Sequence, residues 1–563
     1  MAPQTITTPL GHSLPPEGPH AIAVHVPGWD AVAALRRGDP EIFAALRFMY
    51  PRFGPFNEVA QLAKKITALL TLPDTHTALL FTDPLVVALA RRHAASPHRK
   101  PDAPRVAADE LVFRAVDFAV AGVRLFIVAF PAARAASIIG VWQDPGIGVS
   151  SRLAEALLKE EGTAVAWDGA GEAPPATYLP EGPEHRELRE RVVGLVERGV
   201  EGGYGVGEGH VFLTGTGMAS IFRVHEMAMR VRPGTVVALG AIFHSSWHLF
   251  DESEGGFKHF GRCDDGTALD ELEVWLEGEK TAGRTVGFLF VEFPSNPILV
   301  SVDLKRLRQL ADKYAVPLVI DETIGSFCNI DVMPAADIIV SSLTKSFSGY
   351  ANVMAGAIIF NPSSTHHTLL HTALRSTFHN DLFLADAAVL LSNSASYLAR
   401  SAVLNRNALA IATTLAASAA DPLSPISSVL YPPFTSTHAN MAAFLRRATP
   451  DFPAGPGYGC LLSVDFVDVA YSQAFYEALQ FYKGPHLGAH LSLAMNFCEA
   501  VWGAEPATAQ YHAGYNMRPE QVRLAVGLEE AEDLVDTVRV AVDVVVELKR
   551  RGIPDKEVEE GKE

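Results

Sequence analysis

Two residues stand where a strand of a parallel sheet would present them to a ligand. Asp321 closes the apolar run VPLVID, and Lys345 follows the run ADIIVSS in ADIIVSSLTKSFSGY. The last side chain of a buried parallel strand projects into the crevice where such sheets bind ligands. Alone, an aspartate like Asp321 is more often the N-cap of the next helix. Lys345 is flanked by the hydroxyls of Ser342 and Thr344 rather than by carboxylates. A lysine held in a crevice can shed its charge and act as a nucleophile. Upstream, GGYGVGEGHVFLTGTGMAS contains Gly215-Thr-Gly217-Met-Ala-Ser220 directly after the strand-like HVFL. This nearly matches the dinucleotide GxGxxG pattern, but the following run TVVALGAIF ends without the acidic residue that a ribose requires. What survives is a helix N-terminus whose free amides could hold a phosphate, or a turn of purely structural use. A phosphate turn, a strand-end aspartate and a strand-end lysine are together the parts that hold pyridoxal phosphate: anion cradle, pyridinium partner and Schiff-base amine.

The elements that would position these groups follow from periodicity. From about 201 to 360, the runs HVFL, TVVALG, VGFLFVEF, VPLVIDE and ADIIVSS alternate with helical segments such as DLKRLRQLADKYA, which predicts an α/β fold with a mostly parallel sheet covered by helices on both faces. From about 400, a long helical stretch SYLARSAVLNRNALAIATTLAA, the strands CLLSVDF and QVRLAVG and an apolar C-terminal helix predict a smaller α+β domain. Residues 1–75 read as an arm with helices in EIFAALRFMY and EVAQLAKKITALL. Residues 76–200 mix strand-like runs (TALLF, RLFIVAF) with the helical SSRLAEALLKEE, broken by the polar linker PHRKPDAPR and the patch GAGEAPPATYLPEGP. The large domain is placed at 201–400 and the small one at 401–563.

Composition narrows the partners. The chain has 563 residues, 48% hydrophobic and 20% charged, as folded proteins do. Acidic residues outnumber basic ones 64 to 46, a net charge of −18, which argues against nucleic acid or an anionic membrane surface as partner. The four cysteines, Cys263, Cys328, Cys460 and Cys498, show no CxxC pair, so neither a disulfide framework nor a metal knuckle is predicted. No run of about 18 apolar residues predicts a membrane span, and a cytoplasmic location is expected.

Six motifs in order resemble the cystathionine γ-synthase group of the Cys/Met metabolism family of pyridoxal-phosphate enzymes, in its long fungal form. They are Tyr50-Pro-Arg52, Thr216-Gly-Met218-Ala, Glu292-Phe-Pro-Ser-Asn-Pro297, Asp321-Glu-Thr, Ser342-Leu-Thr-Lys345 and Val522-Arg-Leu-Ala-Val-Gly527. The resemblance implies the type I transferase fold of such enzymes, with 76–200 as the extra segment of the fungal form. It implies Lys345 as the amine that carries the cofactor, Asp321 on the pyridinium nitrogen, and Gly217, Met218, Ser342 and Thr344 around the phosphate. Tyr50 and Arg52 are implied to reach that phosphate from a neighbouring subunit, so a homodimer or homotetramer with shared sites is expected. Asn296 is implied on the cofactor's phenolic oxygen, and Arg523, helped by Ser492, on the α-carboxylate of a small amino-acid substrate.

Three departures bear on the reaction. Phe243, in LGAIFHSSWHLF, stands where the resemblance implies a tyrosine stacked on the cofactor ring; a phenyl can stack but cannot give a proton, and His244 is the candidate substitute. The loop after the lysine reads Ser348-Gly-Tyr350-Ala-Asn352, and a helix charged in fungal relatives reads Leu391-Ser-Asn-Ser-Ala395. The expected reaction is γ-replacement on an O-acyl-L-homoserine, with cysteine as the default nucleophile or a carbon or nitrogen nucleophile in specialised metabolism. The alternatives are a γ-lyase and a catalytically weak regulatory paralogue.

Overall fold

The computed structural model describes residues 5–96, 106–502 and 511–552; the linker PHRKPDAPR lies outside them. Its centre is a seven-stranded sheet ordered Val211–Thr214, Gly356–Phe360, Ile338–Ser341, Leu318–Asp321, Val286–Glu292, Thr235–Leu239, Phe257–Phe260. The five strands from Ile338–Ser341 to Phe257–Phe260 run parallel, and Gly356–Phe360 runs antiparallel to both its neighbours. Val286–Glu292 is buried at all seven positions, as a strand covered on both faces must be. The unbroken apolar runs of the sequence express that burial.

Helix Leu304–Tyr314 shows the local logic. The Asp303 side chain accepts from the Arg306 amide, and the helix ends at Ala315 in the left-handed conformation. The chain then enters strand Leu318–Asp321. Two strands escape the sequence reading, Phe257–Phe260 and Gly356–Phe360; the first is only partly buried and mixes polar residues with apolar ones.

The C-terminal part carries a five-stranded sheet, ordered Ile426–Leu430, Leu461–Phe466, Gln521–Ala525, Leu493–Met495, Tyr482–Lys483, backed by helices Tyr397–Ala419, Val469–Ala478 and Ala531–Arg551. This is the predicted α+β arrangement with three further strands. Residues 76–200 hold a four-stranded antiparallel sheet, ordered His76–Phe81, Val123–Pro131, Val112–Phe118, Thr163–Ala164.

The first 75 residues are not loosely attached. Leu14, Ile22, Val24 and Val26 are each at most 4% exposed. The Ile22 amide donates to Ala351 O at 2.8 Å and the Val26 amide to Lys483 O at 2.9 Å. Helix Asn57–Leu69 packs on strand His76–Phe81 and on helix Ser151–Leu158. The four cysteines are buried and unpaired. Among the described residues no helix is long and apolar enough to cross a membrane.

Candidate active site

The parallel strands end at one edge of the central sheet, and the candidate residues gather there. Asp321 is the last residue of its strand and lies in register with Glu292 on one side and Val340 on the other. The Asp321 carboxylate accepts from the Thr323 amide at 2.9 Å. Burial pushes its pKa up to about 6. Burial, and after it the neighbouring Asp321, pushes Glu292 well above the usual carboxylate range. Glu292 accepts from the Phe243 amide and so fixes that residue at the start of helix His244–Asp251. Two adjacent carboxyl groups, with no ion pair to either among the described residues, form a place for a cation.

Lys345 stands on the turn after strand Ile338–Ser341, with its amide donating to Ser342 O and its carbonyl accepting from the Gly349 amide. Arg400, from helix Tyr397–Ala419, braces this turn through Phe347 O at 2.9 Å and Ser346 O at 3.2 Å. The departures noted in the sequence meet here: Asn393 Nδ2 donates to Ser348 Oγ at 3.0 Å and to Asn352 Oδ1 at 2.8 Å. The altered loop and the altered helix are thus one hydrogen-bonded unit behind Lys345.

At the other end of the site, Thr216 caps helix Gly217–Val231: its hydroxyl accepts from the Ala219 amide and donates to Gly146 O, each at 2.9 Å. A Cβ built on Gly217 would fall 2.6 Å from Ser342 Cβ. The missing side chain therefore leaves the Gly217 and Met218 amides open beside Ser342, an anion cradle at a helix N-terminus. Thr344 is turned aside, its hydroxyl donating to Ala355 O and accepting from the Ala355 amide, both at 3.1 Å.

Tyr50 and Arg52 enter the same pocket from their own chain. The Lys345 amine lies over the Tyr50 ring, 5.8 Å from its centre. Burial alone would raise the phenol's pKa, but the charges of Lys345, Arg52 and Arg523 outweigh it and hold the group below its usual value. Arg52 donates to Gln143 O, Gln143 Nε2 donates back to Arg52 O at 2.6 Å, and the guanidinium lies 5.9 Å from the centre of the Phe243 ring. Beside it Asp144 is pushed up to about 7 by burial, against the pull of Arg52.

Arg523, 3% exposed, has Nη1 on Asn296 Oδ1 at 3.2 Å and Nη2 on Pro485 O at 2.6 Å, while its Nε has no partner. Burial lowers it to about 10. Among the described residues no carboxylate pairs with it, so it is a buried cation open to an anion. Ser492, expected beside Arg523, is not brought there. Met495 pairs with Arg523 and Leu493 with Ala525. Alternation along the strand sends Ser492 to the opposite face, where its hydroxyl donates to Glu529 and accepts from the Gly527 amide. His244 is likewise engaged elsewhere, with His248 at 3.0 Å and against Trp502. The residue that the sequence reading missed is His486, fully buried on the loop whose Pro485 O accepts from Arg523 and whose Gly488 packs on the lysine turn. Nothing in its context, the Gly- and Pro-rich stretch Lys483-Gly-Pro-His-Leu-Gly-Ala-His490, distinguishes it in the sequence.

The fit to pyridoxal phosphate is now testable on geometry. The glycine-opened cradle beside Ser342 suits the phosphate, the unpaired Asp321 carboxylate suits a pyridinium, and Lys345 is the only lysine in the set. All three lie along one strand edge, and each matches one part of that molecule.

Comparison with known proteins agrees. The sequence model of the Cys/Met metabolism PLP-dependent enzymes matches residues 201–543. The chain is 34% identical over 439 residues to an alanine racemase, ungC, of Aspergillus violaceofuscus, which spans 74% of this chain and 73% of that one. It is 30% identical over 616 residues to the cystathionine gamma-synthase-like enzyme iboG2 of Amanita muscaria, covering 96% and 97% of the two chains. In structure it resembles cystathionine gamma synthase of Xanthomonas oryzae, with a TM-score of 0.52 at 24% identity over 68% of this chain and 92% of the other, a likeness of fold. The architecture is that of the type I pyridoxal-phosphate enzymes, and the chain belongs to the Cys/Met metabolism PLP-dependent enzyme family.

Proposed function

We propose that this protein catalyses γ-replacement on an O-acyl-L-homoserine, with cysteine as the default nucleophile. The observation that carries the reading is the Lys345 amine set over the Tyr50 ring in a pocket that also holds Arg523, whose Nε has no partner and which no carboxylate among the described residues neutralises. Arg523 fixes the substrate α-carboxylate. The Lys345 amine takes the protons from Cα and then Cβ, and the Tyr50 phenol, kept acidic by three cations, shares and returns them. Pyridoxal phosphate, when bound, supplies an electron-withdrawing ring that accepts carbanion charge. Asp321 would hold its pyridinium nitrogen, Asn296 its phenolic oxygen, Gly217, Met218 and Ser342 its phosphate, and Phe243 offers it a flat apolar face. At Cγ the acyloxy group leaves with its bonding pair as a carboxylate, a thiolate forms the new C–S bond, and the thiol proton is released.

The test is product analysis of the purified protein with O-acetyl-L-homoserine, with and without cysteine. Cystathionine and acetate are expected. Ammonia and 2-oxobutyrate as the only products would replace this reading by γ-elimination. A second reading, proton exchange at Cα alone, draws support from the similarity to an alanine racemase and from the two proton-handling groups, Lys345 and Tyr50, in one pocket. Formation of D-alanine from L-alanine, without reaction of the homoserine ester, would establish it. In either case Lys345→Ala should abolish turnover and alter the visible absorbance of the cofactor-loaded protein.

A further inference from the structure

His486 is fully buried, and neither of its ring nitrogens has a hydrogen-bond partner among the described residues. Among the described residues, the other fully buried histidine behaves differently. His185 is equally buried, but its Nδ1 accepts from the Gly182 amide at 3.1 Å and its Nε2 meets Leu382 O at 2.9 Å. Leaving a buried polar atom unpaired is costly, so a fold that satisfies one histidine and not another invites a ligand at the second.

The loop around His486 says where that ligand lies. Pro485 O holds the Arg523 guanidinium at 2.6 Å. Gly488, at φ +73°, packs so close to the lysine turn that an added Cβ would fall 2.5 Å from Ser346 N and 2.9 Å from Lys345 C. His486 therefore sits on a short loop that touches Arg523 at one end and the lysine turn at the other. Burial, then the charges of Lys345, Arg523 and His490, keeps its pKa well below the ordinary value, so the ring is neutral. A neutral imidazole offers one N–H and one lone pair. His490, which also faces this loop, is anchored by its Nε2 to Pro15 O at 2.8 Å.

We propose that His486 is a substrate-binding residue, which donates one ring N–H to the α-carboxylate of the amino-acid substrate beside Arg523 and turns its other nitrogen toward the Lys345 amine. This rests on the reading that the pocket takes an amino acid. Such a contact selects free α-amino acids over their amides or esters, because only the carboxylate offers Arg523 and His486 an anion together.

The experiment measures dissociation constants of L-alanine and of L-alaninamide for the cofactor-loaded protein, by calorimetry and by the change in visible absorbance. The proteins are wild type, His486→Phe, His486→Gln and Arg523→Ala. His486→Phe keeps the ring's bulk and should lose roughly tenfold or more in affinity for L-alanine, with L-alaninamide unchanged. His486→Gln retains a donor and should recover most of that loss, and it carries the test if the phenylalanine variant does not fold. An affinity for L-alanine within twofold of wild type in both His486 variants, while Arg523→Ala loses it, would overturn the proposal and leave the amino-acid reading standing. Failure of L-alanine, L-alaninamide and O-acetyl-L-homoserine alike to perturb even the wild type would remove the amino-acid reading itself.

Discussion

The Lys345 amine lies over the Tyr50 ring of the same chain, 5.8 Å from the ring centre. The arm of the protein thus supplies a phenol to a site whose Phe243 cannot. Tyr50→Phe keeps the ring and removes only the hydroxyl, and it should lower kcat by roughly one to two orders of magnitude, as expected for loss of a proton-transfer partner. Cofactor absorbance should persist. Phe243→Tyr should leave kcat within about threefold, since the phenol is already present; a sharp rise would support the reading of a catalytically weak paralogue.

The placement of the arm makes a second prediction. Arg52 and Gln143 bond each other reciprocally, and the segment leading to them is pinned to the small domain at Lys483 and to the lysine loop at Ala351. In this arrangement Tyr50 and Arg52 lie at the Lys345 site of their own chain. Co-expressed Lys345→Ala and Arg52→Ala chains should therefore show no more activity than either variant alone. Recovery to roughly a quarter of wild type would mean that arms are exchanged between subunits.

Gly217 is held to its identity by space rather than by backbone angle. A Cβ there would lie 2.6 Å from Ser342 Cβ and 3.1 Å from its Cα. Gly217→Ala should push the helix N-terminus away from Ser342 and weaken pyridoxal phosphate binding by about tenfold or more, read by equilibrium dialysis or absorbance titration. The melting temperature of the cofactor-free protein should change far less than that of the loaded one.

Lys483 gives a pH prediction outside the pocket. It is 5% exposed, with its amine on Leu479 O and over the Tyr476 ring, and burial lowers its pKa from the ordinary 10.5 to about 7. Between those values the unfolded chain holds a proton that the native state releases, so this group favours folding more as pH rises from 7 toward 10.5 and opposes it most at pH 7 and below. Lys483→Met should raise the melting temperature by roughly 2–5 °C at pH 7, with the gain shrinking toward pH 10. A gain that is flat across this range would contradict the assignment.

Much of the molecule was legible from residue order alone, because its evidence is local. Continuous apolar runs marked the parallel strands, since burial on both faces removes the need for alternation, and turn chemistry marked the ends at which Asp321, Lys345 and Gly217 stand. The types of Asp321, Lys345 and Gly217 were enough to name a cofactor. The tertiary structure decided the rest, which depends on faces and on distance. Strand pairing sent Ser492, just ahead of the unpredicted strand Leu493–Met495, away from Arg523, and a backbone acceptor drew Thr344 aside. The register of loop 485–488 against Lys345 brought in His486, which no pattern marks. Whether Tyr50 meets Lys345 of its own chain was decided by the packing of the arm and the inserted sheet, contacts between segments far apart in sequence whose spacing carries no trace of one another.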